Sequence, residues 1–259
     1  MKKYLFLYAF AVSFAIISSS AAAQISSTGS PLALDLIDLP TAATNARGEY
    51  GIGLRMYPQG GVLSDFSIGV IDRLVGRLYY GGENLIGTGK VNWNPQVGVD
   101  LKVRVIEETL GIPAIAIGVN IQGYGGFREA EDRYLIKSRG IYVVGSRNYA
   151  TTIGDFSVHG GTNFSFERED KDKDMNFFFG ANISIRNVSE LLLEFDSAVN
   201  DNETTSFGVG HGYLNAGIRF FISEKFNLTF HFKDMLENTD IINGFGREIR
   251  LEYRDTFRR

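Results

Sequence analysis

The residues able to do chemistry in this chain are few and scattered. Its three histidines, His159, His211 and His231, show no metal-ligand spacing and are read as residues of a lumen or a rim. His159 is followed by Gly160 and Gly161, so no serine stands two positions on, and no Gly-x-Ser-x-Gly elbow occurs anywhere. Gly87-Thr88-Gly89-Lys90 runs into Val91 and lacks the upstream glycine of a phosphate loop. Asp170-Lys171-Asp172-Lys173-Asp174 begins like a calcium loop. Met175 then stands where the sharp turn needs glycine, and Ala181 where a bidentate glutamate would close the site. It reads as a solvated hairpin loop. The chain is therefore expected to be no enzyme, with no catalytic residue, metal or cofactor.

Two other sets of residues suit binding. Arg55, Arg77, Asp100, Lys102, Arg104, Arg219 and Lys233 each fall on the polar face of an alternating stretch. Together they would make a wall of both signs. Such a wall can hydrate and exchange hydrogen bonds with a neutral or anionic glycan, or pair internally and close the passage; both readings stay open. The second set, Glu83, Asn84, Asn92, Trp93 and Asn94, surrounds the only tryptophan. It offers a ring to stack on a sugar and amides to bond its hydroxyls. The plainer reading makes Trp93 an anchor at a lipid interface.

These residues need strands to hold them. In Gln96-Val97-Gly98-Val99-Asp100-Leu101-Lys102-Val103-Arg104-Val105 every odd position is aliphatic and every even one is polar or glycine. Period-two alternation this strict puts one face in an apolar medium and the other in a polar one. About twelve such strands are predicted, over 48–57, 62–71, 74–82, 96–107, 112–123, 133–146, 153–167, 176–186, 189–199, 210–222, 225–234 and 247–257. Long polar connections alternate with short ones, except for a tight turn at 58–61. Grouping the short links at one rim puts the long loops at the other, the asymmetry of outer-membrane barrels, and leaves both termini at the short-turn, periplasmic rim. A soluble β-protein would put the apolar face inside. Size argues against that, because side chains fill the interior of barrels of only about eight strands.

The start of the chain names a compartment. Met1-Lys2-Lys3, an apolar run from Tyr4 to Ile17 and then Ala21-Ala22-Ala23 have the layout of a cleavable signal peptide, removed after Ala23. The expected organisation is signal peptide 1–23, periplasmic segment 24–47 and outer-membrane barrel 48–259. Without cysteine, neither lipid attachment at the N-terminus nor a disulfide framework is available. A mean hydropathy of −0.04 excludes a helical membrane protein but suits a barrel, whose two faces cancel. The 30 acidic against 26 basic residues argue against a nucleic-acid partner.

Leu36-Ile37-Asp38-Leu39-Pro40-Thr41-Ala42, followed by Arg47-Gly48, resembles the opening of YjbH-type outer-membrane proteins of exopolysaccharide biosynthesis. Asp100-Leu101-Lys102-Val103-Arg104 and Pro113-Ala114-Ile115-Ala116-Ile117-Gly118 resemble their paired strands. The resemblance spans 36–127 and is architectural beyond it. It implies a non-enzymatic barrel in the outer membrane of a Gram-negative-type bacterium that assists exopolysaccharide biosynthesis or export. Its partners would be outer-membrane lipid, polysaccharide and periplasmic export proteins. The alternative is a general or structural porin with no polysaccharide role.

Overall fold

A computed structural model describes residues 33–186, 188–203, 205–239 and 244–257. The leader expected at 1–23 lies outside them. The strands are β1 (Glu49–Tyr57), β2 (Gly61–Ile71), β3 (Leu74–Glu83), β4 (Asn92–Trp93), β5 (Gly98–Ile106), β6 (Ala114–Asn120), β7 (Tyr124–Arg128), β8 (Arg133–Ile136), β9 (Gly140–Ala150), β10 (Asp155–Phe164), β11 (Asn176–Ile185), β12 (Ser189–Asp196), β13 (Tyr213–Phe221), β14 (Phe226–Lys233) and β15 (Gly246–Thr256). Twelve of them pair antiparallel in a closed ring. β2 bonds both β1 and β3, and β1 bonds β15 from Glu49↔Thr256 to Met56↔Ile249. β4 is a two-residue addition to β3, while β7 and β8 form a separate hairpin.

Alternation decides the faces. Ile52, Leu78, Leu101, Val103, Ile117, Ile141, Phe177, Phe179, Leu191 and Leu193 are exposed on the outside, whereas their neighbours Arg77, Lys102, Ser157, Asn182, Glu190 and Glu194 are buried inside. Aromatic rings edge the apolar belt. Tyr50 stacks on Phe257 near the rim where the sheet starts and ends, and Tyr80 stacks on Trp93 near the opposite rim. A closed sheet with an apolar belt and a polar interior satisfies every condition for crossing a bilayer by strands. The protein is a transmembrane β-barrel, the architecture of outer-membrane proteins.

The connections sort as expected. One rim carries the links at 72–73, 107–113, 151–154, 186–188 and 222–225, together with both ends of the barrel. The other carries 84–97, 121–139, 165–175, 197–212 and 234–245, plus the tight turn at 58–60.

Two departures from the sequence reading matter. The strand expected over 133–146 is two elements, β8 and then β9 from Gly140, whose φ of 62° turns the chain between them. Arg133, Lys137 and Arg139, which spoil the alternation there, are buried ion-pairing residues. Arg133 and Lys137 pair with loop Asp170, and Arg139 pairs with Asp196 at the end of β12. The hairpin β7–β8 therefore folds over the long-loop mouth and reaches in, setting the Tyr124 ring 4.6 Å from the Arg55 guanidinium.

The second departure is larger. The segment expected at 24–47 as periplasmic is described from Ala33, and it runs inside the barrel. Leu34, Leu36, Ile37, Leu39, Ala42 and Ala43 are all buried. A lumen bounded by twelve strands is too wide for its own side chains to fill, and this segment occupies it.

Candidate functional site

The plug is a short finger folded on itself. Thr41 N donates to Leu34 O at 3.0 Å and Leu36 N to Leu39 O at 2.9 Å, with Asp35 bridged to Pro40. The motif that carried the family resemblance thus forms the fingertip. Its returning limb leaves by the short-turn rim, where Arg47 N donates to Asp72 Oδ1 at 2.9 Å and Thr44 Oγ1 to Asp72 O at 2.8 Å. The limb runs so close to β2 that a Cβ on Gly69 would strike the Ala46 carbonyl.

Wall and plug hold each other by reciprocal charges. Glu194 on β12 accepts from three successive plug amides: Ile37 at 3.1 Å, Asp38 at 3.0 Å and Leu39 at 3.0 Å. Consecutive amides turned towards one carboxylate form an anion-binding nest, here with the anion supplied by the wall. In the other direction, wall cations take the plug's oxygens. Arg77 pairs with Asp35, while Arg55 and Lys233 pair with Asp38. Lys102 Nζ donates to Leu34 O at 2.8 Å and to Thr41 O at 3.0 Å. Arg219 donates to Leu36 O at 3.1 Å and pairs with Glu190. Buried charges survive only when paired in this way.

Apolar contacts complete the seat. Leu36 and Ile37 pack with Leu192, and Leu39 and Ala42 pack with Ala114, Ala116, Tyr142, Val144 and Phe178. Gly180 leaves room for Leu36; a Cβ there would meet its δ-methyl.

A hydrogen-bonded chain links the two limbs of the plug through the wall. Ala42 N donates to Ser146 Oγ at 2.8 Å, which lies 2.7 Å from His159 Nδ1. His159 Nε2 lies 2.8 Å from Asn182 Oδ1, and Asn182 Nδ2 donates to Glu190. With the proton on Nε2, every donor meets an acceptor: Ser146 donates to Nδ1, and Nε2 donates to Asn182. Glu190 then passes to Arg219 and back to Leu36 O. His159 is a strut of the plug seat. His231 is buried 3.5 Å from Glu248, and His211 is exposed on a loop.

The predicted wall residues fall as follows. Arg55, Arg77, Asp100, Lys102, Arg219 and Lys233 are buried in the lumen, with Asp100 accepting from Tyr142 Oη at 3.1 Å. Arg104 instead lies at the short-turn rim against Glu107 at 3.0 Å, where a bulge shifts the β5–β6 register. The predicted sugar set is split. Trp93 is on the outer face, 51% exposed and stacked on Tyr80 at 5.6 Å, which is the arrangement of an interfacial anchor. Glu83 points inwards to Arg128 at 2.7 Å, Asn94 is buried, and exposed Asn84 bonds within its own loop. Asn92 donates to Phe127 O at 3.0 Å and, at 3.5 Å, to Glu83. In the calcium-like loop, Asp170 is consumed by Arg133 and Lys137, and Asp172 accepts from Asn202 N at 3.1 Å.

Sequence reasoning missed Asp35, Asp38, Ser146 and Glu194. Glu194 and Ser146 do stand on polar faces of alternating strands, but nothing in period-two patterning says that their partners are backbone amides of a distant segment.

No protein-family model and no curated protein matches the chain. Among solved structures it is similar to the KdgM porin, at 10% identity over 81% of this chain and 99% of that one, with a TM-score of 0.46. A structure of the KdgM porin in complex with disordered oligogalacturonate matches at 10% identity over the same shares, with a TM-score of 0.45. The NanC porin follows at 8% identity over 81% and 99%, with a TM-score of 0.41. The membrane assignment stands on the closed sheet and its belt rather than on these likenesses.

Proposed function

We propose that this barrel assists the assembly or export of an extracellular polysaccharide without catalysing any reaction, and that its N-terminal finger keeps the lumen shut at rest. The observation that carries the reading is the lumen wall. Arg55, Arg77, Lys102, Arg219 and Lys233 line it, and each is engaged by an oxygen of the finger. Carbohydrate hydroxyls and carboxylates bond the same donors in the same way. A general porin, the other reading, would need a standing water path, which the seated finger and the inward-folded β7–β8 hairpin obstruct. The fingertip sequence is also the stretch that resembles YjbH-type proteins. In this reading the short-turn rim faces the periplasm, so that the finger enters from the side where export partners would reach it.

Deleting the gene and measuring cell-surface polysaccharide tests the role; a marked loss is expected, and an unchanged amount would leave only a plugged barrel. Orientation has its own test. Trypsin added to intact cells is expected to cut at the exposed Lys171 and Lys173 and to spare Arg73, which is also exposed. Cleavage at Arg73 alone would turn the barrel over.

A further inference from the structure

The lumen carries an imbalance that appears only when plug and wall are considered apart. Arg55 keeps Glu248 and Arg219 keeps Glu190 whether or not the finger is seated. Three other wall cations make no salt bridge to the wall among the described residues, although buried Asp100 stands opposite Arg77 in the β3–β5 ladder and two positions from Lys102 on the same strand. The only carboxylate paired with Arg77 is Asp35, and the only salt bridge of Lys233 is to Asp38. Lys102 donates to plug carbonyls alone. Against these three, the vacated wall offers Glu194, which the finger's departure frees, and Asp100, which among the described residues is bonded only to Tyr142. With Asp35 and Asp38 gone, the vacated lumen therefore gains net positive charge at Lys233 on β14, Arg77 on β3 and Lys102 on β5.

From this we infer that Arg77, Lys102 and Lys233 form a binding track for a carboxylate-bearing glycan, and that Asp35 and Asp38 occupy it at rest as internal mimics of that ligand. The inference rests on the proposed carbohydrate role and narrows it to acidic chains. Binding is by exchange. The glycan's carboxylates take over the cations that the two aspartates hold, so the charged wall is never left bare, and a neutral glycan lacks the charge to make the exchange. Leaving those cations buried without a counter-charge is the costly alternative. The finger is suited to such competition because its grip is mostly polar. Its apolar seat is confined to a few side chains around Leu36, Ile37, Leu39 and Ala42.

The native chain has no cysteine, so a single Ala43→Cys in the full-length barrel reports on the finger without background. Ala43 is 5% exposed when the finger is seated. The experiment measures labelling of that thiol by a water-soluble maleimide in reconstituted vesicles, with tetragalacturonate or maltotetraose added. Tetragalacturonate is expected to raise the labelling rate by about tenfold and maltotetraose to leave it unchanged, a tenfold factor corresponding to about 1.4 kcal/mol. Adding Asp35→Asn and Asp38→Asn should raise the rate with no sugar present. Arg77→Gln with Lys233→Gln, checked for a folded barrel by heat-modifiable mobility, should abolish the acidic sugar's effect. Equal action of the two sugars, or none from either, would overturn the track. Acid-specific release together with unaltered surface polysaccharide in the deletion strain would keep the track and remove the exopolysaccharide role.

Discussion

Glu194→Ala is expected to unseat the finger while leaving the barrel closed. The carboxylate takes three plug amides and the Asn215 side-chain amide, the latter at 2.7 Å. Removing it leaves buried donors without an acceptor, each of which costs about 1–3 kcal/mol, and lumen water recovers part of that. A net loss of about 3 kcal/mol for the seated finger follows, roughly a hundredfold in its equilibrium. Hydrogen exchange at Ile37, Asp38 and Leu39 should lose protection by about that factor. The β12 amides should stay protected, because their partners on β11 and β13 are untouched. Unchanged protection across 37–39 would mean that the nest does not hold the finger.

The second large effect is on the opposite face of the sheet. Leu101 is 49% exposed on the outer side of β5, between Asp100 and Lys102, which are buried in the lumen. Leu101→Arg puts a guanidinium into hydrocarbon and should cost about 2–4 kcal/mol if the residue lies near the midplane. Denaturant unfolding of the barrel in vesicles measures it. Lys102→Gln, one residue on, should barely move that unfolding transition. It breaks the bonds to Leu34 O and Thr41 O, so its effect belongs to the finger. Equal losses of barrel stability at both positions would show that the faces have been assigned wrongly.

Much of the barrel was legible because its signal is local. The stretch 96–105 alternates strictly, and alternation alone says which side chains share a face. The rim asymmetry followed from counting residues between strands. What failed was non-local. Arg133, Lys137 and Arg139 break the pattern because they pair with Asp170, Asp201 and Asp196, far along the chain, and no window over 133–146 contains those partners. The finger was hidden for a related reason. Leu34, Leu36, Ile37 and Leu39 lack strand periodicity, and a short apolar stretch with two aspartates reads equally well as a tether. Only the closed lumen gives it a place.

The wall shows a finer limit of the same kind. Six of the seven predicted lumen residues are buried there, yet their partners could not be read from the strands. The sequence left a hydrated passage and an internally paired wall as equals. The described state goes beyond either: the wall pairs internally, as Arg55 with Glu248, Arg219 with Glu190 and Arg250 with Asp65, and Arg55, Arg77, Lys102, Arg219 and Lys233 also bond a segment that is not part of the wall. That distinction carries the functional reading, since a pairing with the finger can be exchanged for a pairing with a ligand.

Conductance tests the central claim most directly. Single-channel recordings should be made on the full chain in planar bilayers and on the same chain lacking residues 33–46, which precede β1 and contribute no strand to the ring. The full chain should stay closed except for brief openings. The shortened chain should show a steady ion current at the same voltage, limited by the β7–β8 hairpin that remains at the mouth. Identical currents from the two would contradict the account, because the finger would then not be what closes the lumen.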